Sequence, residues 1–165
     1  MLDLIKTRRS IRRFKPEPIE DETIYKIIEA GTWAPSGKNN QPWKFVVIKD
    51  KTIKEKIAQY TIYSRTISNS AVCVVVFLDY ELSYDRTKDV QAVGACIQNM
   101  LLAAHYLSLG GVWLGEILKN KDKVKSELEV PENFELMAVV ALGYPDEKPK
   151  APYRMGLDEV VFRIA

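Results

Sequence analysis

The sequence predicts a mixed α+β or α/β domain, and three observations lead there. Runs of unbroken or alternating apolar residues are interleaved with runs of helical period, giving roughly three or four strands and five or six helices. Glycine and proline fall between these segments, at Gly110-Gly111, Gly143-Tyr144-Pro145 and two proline-bounded connections. With 47% hydrophobic and 28% charged residues over 165 positions, the chain has the composition of a globular protein that can bury a core.

In chain order, Leu2, Leu4 and Ile5 suggest a short opening helix. Pro16 and Pro18 then stiffen an extended connection. Glu20 or Asp21 can cap a helix carrying Ile24, Ile27, Ile28 and Gly31, which Pro35 brings to an end. Lys44 to Ile48 reads as a strand, and Ile53, Ile57 and Tyr60 as a short helix. Thr61 to Ser70 is polar and carries no clear pattern. Ala71 to Leu78 is a β-branched run suited to a central strand buried on both faces. The longest helical pattern, Val90 to Leu109, is apolar most of the way round, which places it in the core or in a subunit contact. Within it, Gln98 and Asn99 need partners. Gly110-Gly111 closes that helix. Val112 to Glu116 is a short or edge strand, Asn120 can cap a helix carrying Val124 and Leu128, and Phe134 to Leu142 is a further strand. A Lys- and Pro-rich tail and a last apolar segment at Leu157, Val160 and Val161 complete the chain.

Composition excludes several classes. The net charge is only +2, which argues against a nucleic-acid-binding domain. Cys73 and Cys96 lie in apolar surroundings without CxxC spacing and read as reduced core thiols of a cytoplasmic protein. One histidine, His105, cannot build a histidine-rich metal site, and no metal site is expected. The longest apolar run is too short for a bilayer span, and no signal peptide is apparent. No repeat or linker divides the chain, so one domain over 1–165 is expected.

Two stretches invite a functional reading. Lys6 to Lys15 concentrates six cations around Ser10, with Ile5, Ile11 and Phe14 spaced to pack one side. Such a cluster suits a dianion clamp, because guanidinium groups match phosphate oxygens. It equally fits a solvated basic face or a weak nucleic-acid patch. Pro35 to Trp43 is a polar loop between two prolines. It displays amides and hydroxyls rather than charge, which suits a neutral, planar, hydrogen-bonding ligand, although a plain turn has the same composition.

Four blocks in order carry a resemblance across essentially the whole chain: Arg8-Arg9-Ser10-Ile11-Arg12-Arg13-Phe14; Ala34-Pro35-Ser36-Gly37-Lys38-Asn39-Asn40-Gln41-Pro42-Trp43; Gln98 to Ala104 with Gly111 to Glu116; and Gly143-Tyr144-Pro145 with Arg154. On these the chain resembles the nitroreductase family of FMN-dependent oxidoreductases, in its short form. The resemblance implies an α+β, three-layer α/β/α sandwich with a mainly antiparallel sheet, assembled as an obligate homodimer with FMN at the interface. It assigns Arg8, Ser10, Arg12 and Arg154 to the FMN phosphate, with Arg9 nearby. It assigns Pro35, Ser36, Gly37 and Asn39 to the flavin bound mainly by the other subunit, with Gln41 and Trp43 shaping the loop. Leu114, Gly115 and Glu116 are assigned to backbone donation at the flavin edge near N5 and O4. Where the family often has a second glycine this chain has Glu116, which would bring its side chain near the ring or solvent.

The implied reaction is ping-pong: NADH or NADPH reduces the flavin and leaves, then a nitroaromatic, quinone or similar acceptor is reduced on the same face. No GxGxxG fingerprint follows a strand, consistent with a visiting nicotinamide. No residue demands a general acid or base role. Acceptor choice is expected to lie with Tyr60 to Ser70 and Tyr80 to Lys88. Rival readings are another enzyme of the same architecture (a dehydrogenase, reductive dehalogenase or flavin-fragmenting enzyme) and a non-catalytic nucleic-acid-binding module.

Overall fold

The computed structural model describes residues 1–165. Four strands, β1 (Trp43–Ile48), β2 (Val72–Asp79), β3 (Gly110–Leu114) and β4 (Phe134–Gly143), form one sheet in the order β1-β2-β4-β3. Every neighbouring pair is antiparallel, as expected for a mainly antiparallel sheet. Seven helices accompany it: α1 (Leu2–Thr7), α2 (Asp21–Thr32), α3 (Lys51–Ala58), α4 (Ser64–Asn69), α5 (Arg86–Tyr106), α6 (Lys121–Glu127) and the single turn α7 (Leu157–Val160).

The period-two geometry of β2 sorts its side chains between two cores. Val72, Val74, Val76 and Leu78 point to one face, where Ile24 and Ile27 of α2 and Val93, Ile97 and Met100 of α5 cover them. Cys73, Val75 and Phe77 point to the other, against Ile57 of α3, Ile67 of α4 and Val124 of α6. All eight residues of β2 are buried, as the unbroken β-branched run requires. A register shift between Val76 and Phe77 sets Leu136 opposite Phe77 and Ala138 opposite Val76, so Leu136 joins the second core rather than the first. The result is the three-layer sandwich.

Several boundaries differ from the sequence reading. Helix α5 begins at Arg86 rather than Val90, because Asp85 caps it by accepting from the Lys88 N–H at 3.1 Å. The patternless stretch after Tyr60 contains α4, which has no side-chain cap to announce it. Asn120 precedes α6 but caps nothing; its Nδ2 donates to the Tyr60 carbonyl at 2.9 Å. Gln98 and Asn99 are half-buried on α5 and make no side-chain hydrogen bond within the protomer. The last apolar segment is exposed throughout; Phe162 is fully solvent-accessible in the protomer.

The basic stretch is stitched to the sheet on both sides. The Ile11 N–H donates to the Gly111 carbonyl at 3.1 Å, and the Lys15 N–H to the Tyr144 carbonyl at 2.9 Å. Ile11 and Phe14 sink into the second core. Gly143 makes room for the Phe14 ring, since a Cβ there would meet it at 2.8 Å.

Candidate functional site

Fixing Ile11 and Phe14 inward turns their neighbours outward. Arg8, Arg9, Ser10 and Arg12 line a pocket of about 310 Å³ together with Pro149, Lys150, Pro152 and Arg154 from the far end of the chain. The sequence reading places Arg8, Arg9, Ser10, Arg12 and Arg154 together, and the structure brings them together. Lys150 is an addition; it lies in the Lys- and Pro-rich tail, whose charge gave no positional signal. The two ends are joined by Glu147, whose Oε1 accepts from the Arg13 N–H at 3.1 Å and also from the Arg12 N–H. Glu147 also pairs with the Arg13 side chain at 3.5 Å.

No carboxylate pairs with any of the five cations lining this pocket; the ion pairs lie elsewhere. Burial and the neighbouring charges of Arg154 and Arg9 lower the pKa of the Arg8 guanidinium. Arg9 is partly satisfied by the Lys6 and Arg8 carbonyls, at 2.7 and 2.8 Å. A pocket of mutually repelling cations around one hydroxyl fits a phosphate dianion, which relieves the repulsion and takes up the donors.

The Tyr63 ring centroid lies 6.0 Å from the Arg12 guanidinium carbon. Through the Thr61 hydroxyl, which accepts from the Tyr63 N–H and donates to Glu116, this segment meets the end of β3 at Leu114, Gly115 and Glu116. The Gly115 N–H has no acceptor in the protomer, and a Cβ on Gly115 would meet nothing within 4 Å. Gly115 is exposed, and its N–H is a free backbone donor. The Glu116 side chain is largely withdrawn from solvent. Its Oε2 accepts from the Thr61 hydroxyl at 2.8 Å and the Ile62 N–H at 3.1 Å, and Lys119 lies 3.2 Å from its other oxygen. These contacts, the Thr61 hydroxyl first, hold the Glu116 carboxyl below its usual pKa.

The Pro35–Trp43 loop is held in part by its own side chains. Ser36 Oγ accepts from the Gln41 N–H at 3.1 Å, and Trp43 is buried at the start of β1. Lys38, Asn39 and Gln41 adopt positive φ values of 56°, 55° and 48°. Asn39 and Lys38 are exposed, while Ser36 and Gly37 are half-buried.

In one protomer this loop is far from the cationic pocket. The pocket borders Ser10, which bridges Gly111, near the end of the sheet where Gly110 pairs Gly143 and Val72 pairs Leu142. The loop enters β1 at Trp43, opposite Leu78, at the other end of β2. It also lies on the opposite edge of the sheet. Across the eight residues of β2 and the width of the sheet, the separation is on the order of 25 Å. The structure thus does not unite Pro35, Ser36, Gly37 and Asn39 with the arginines within one chain.

Comparisons with known proteins place the chain in a family and a fold. The profile of the nitroreductase family matches residues 5–64 and 59–144. A Desulfovibrio desulfuricans structure, described as a nitroreductase in complex with FMN, superposes with a TM-score of 0.95 at 42% identity, covering 99% of this chain and 96% of that one. An Archaeoglobus fulgidus protein with the provisional name NADH dehydrogenase/NAD(P)H nitroreductase is 40% identical over 152 residues, 89% of this chain and 87% of its own. The Vibrio harveyi NADPH:FMN oxidoreductase, in complex with NAD+, superposes with a TM-score of 0.91 at 29% identity, covering 98% of this chain and 76% of that one.

Proposed function

The chain belongs to the nitroreductase family, and from that premise we propose that it is an NAD(P)H-dependent FMN oxidoreductase acting as a homodimer on a nitroaromatic, quinone or similar small acceptor. The observation that carries the reading is the pocket of five cations around Ser10, none of whose side chains is paired with an acid. Arg8, Arg12 and Arg154, with Lys150, hold the phosphate, and Ser10 adds a hydroxyl donor. The Gly115 N–H, with Leu114 and Glu116 beside it, is the donor for the flavin edge. Bound FMN supplies the redox chemistry, taking a hydride from NADH or NADPH and passing it to the acceptor.

The homodimer reading rests on two observations. The loop from Pro35 to Asn39 is too far from the arginines to serve the same ligand unless two copies meet. Apolar surface also lies uncovered in one protomer: Trp33, Tyr106, Phe162 and Ile164 are largely exposed. In the dimer, the loop of one protomer covers the ring whose phosphate the other protomer holds.

The test is the visible spectrum of the purified protein, followed by anaerobic addition of NADH and of NADPH. Flavin absorbance near one equivalent per chain that bleaches with either nicotinamide supports the reading. Colourless protein that fails to take up FMN overturns it.

A further inference from the structure

Asp89 is a carboxylate with no exposure at all and no cationic partner. Its charge is met by donors alone. Oδ1 accepts from Asn40 Nδ2 at 2.7 Å; Oδ2 accepts from Ser83 Oγ at 2.6 Å and from the Tyr84 and Asp85 N–H groups at 3.0 and 3.1 Å. Burial works against the ionised form, and the hydrogen bonds from Ser83, Asn40, Asp85 and Tyr84 outweigh it, leaving the carboxyl below its usual pKa. An ion buried this way is expensive, and folding the turn before α5 does not by itself require one.

What the carboxylate joins gives it a purpose. Three of its four donors come from the turn that leads into α5. The fourth, Asn40, belongs to the Pro35–Trp43 loop, and the same Nδ2 also donates to the Leu82 carbonyl at 2.9 Å. Asn40 stands between Asn39 and Gln41, both at positive φ. Left-handed backbone at residues other than glycine persists only where the surroundings hold it. Further along the loop, Tyr84 lies against Gly37, and the Lys38 ammonium sits 4.8 Å from the centre of its ring.

We propose that Asp89 is a positioning residue for the flavin site: acting through Asn40, it holds the Pro35–Asn39 loop in the shape that receives the ring, without touching the flavin itself. This rests on the functional reading given above. It also changes the expected role of the Tyr80–Lys88 segment, which becomes a platform for the loop.

Asn40→Ala severs the loop while leaving Asp89 its three other donors. The expected result is roughly a 10-fold rise in the FMN dissociation constant, measured by flavin fluorescence quenching. A shifted flavin midpoint potential should accompany it. Asp89→Asn leaves one oxygen to accept where there were two, so either Asn40 or the Tyr84 and Asp85 N–H groups lose their acceptor, and FMN should weaken similarly. If Asn40→Ala and Asp89→Asn lower the melting temperature but leave FMN affinity and potential alone, Asp89 is only a structural carboxylate and the proposal is overturned. Arg12→Ala separates the two levels of inference. If it too leaves FMN binding unaffected, the flavin site itself is misread; if it alone weakens FMN, only the positioning role fails.

Discussion

Glu116 Oε2 accepts from the Thr61 hydroxyl at 2.8 Å and from the Ile62 N–H at 3.1 Å, tying the segment before α4 to the end of β3. Asn120 reinforces the tie through the Tyr60 carbonyl, and the Tyr60 hydroxyl donates to Glu127 at 3.0 Å. Ile62 is left exposed beside the proposed ring site. Glu116→Ala should speed hydrogen exchange at the Ile62 amide while the sheet amides stay protected. It should alter KM for the acceptor and leave flavin content intact. Loss of flavin with normal exchange at Ile62 would instead mean that the Glu116 backbone, rather than its side chain, is what the substitution disturbs.

Gly37 is fixed by its neighbour rather than by its backbone angle. A Cβ there would overlap the Tyr84 hydroxyl oxygen and lie 2.6 Å from two ring carbons. Gly37→Ala should therefore displace the loop or Tyr84, at a cost of about 1–3 kcal/mol, and lower flavin occupancy. Tyr84→Ala in the same chain should relieve the clash and return part of the occupancy. No relief in the double variant would show that Gly37 is needed for close approach of the ligand itself.

The diagonal separation of loop and arginines can be tested by mixing subunits. Arg12→Ala alone should weaken FMN binding by about 1.5–3 kcal/mol, roughly 10- to 100-fold. Asn39→Ala should damage the loop side. If each site draws arginines from one chain and loop from the other, a mixed dimer contains one site with both lesions and one with neither. After unfolding and refolding an equal mixture, about a quarter of all sites should regain full affinity by random pairing. Sites built within one chain would regain none.

How much of the molecule is legible in its sequence depends on the range of the interactions. The β2 run and the α2 stripe are readable because burial on a strand or helix face writes a local period. The cationic pocket is readable because Arg8, Ser10 and Arg12 alternate outward around Ile11, and the family blocks supply Arg154 across the length of the chain. The Asp89–Asn40 bond is not readable, since it joins two polar residues far apart in sequence and neither has a pattern around it. Helix α4 leaves no signal for want of a capping side chain, and Asn120 misleads because its amide serves Tyr60. The partners of the Glu116 side chain are hidden for the same reason: they lie in the one stretch without a period.

Both thiols are sealed in the cores. Burial pushes the Cys73 pKa up to about 11 and that of Cys96 up to about 12. At pH 8 the thiolate fraction at Cys73 is then about one in a thousand. The native protein should be inert to a disulfide reagent such as DTNB, and two thiols should appear on unfolding in denaturant. Stoichiometric labelling of the native protein at the rate of a free thiol would show that β2 opens readily.

Glu135 gives the sharpest pH dependence. At the start of β4 it accepts from Arg86 Nε and Nη2, both at 3.0 Å, and from the Tyr80 hydroxyl at 2.6 Å, with Lys121 at 3.4 Å. It thus joins the end of β2, the start of α5 and the start of α6. Arg86 first, then Tyr80 and Lys121, outweigh burial and lower its pKa to about 2. A depressed carboxylate contributes its full stability above its unfolded pKa, about 4.3, and loses it as pH falls through the folded value. The window is therefore about pH 4.5 down to pH 2. Arg86 and Lys121 are half-exposed, so screening reduces the contribution to about 1–2 kcal/mol. Glu135→Gln should be less stable than the parent by that amount at pH 7, and the two denaturation curves should converge as pH approaches 2. A constant offset across the whole range would assign the loss to packing at Glu135 rather than to its charge.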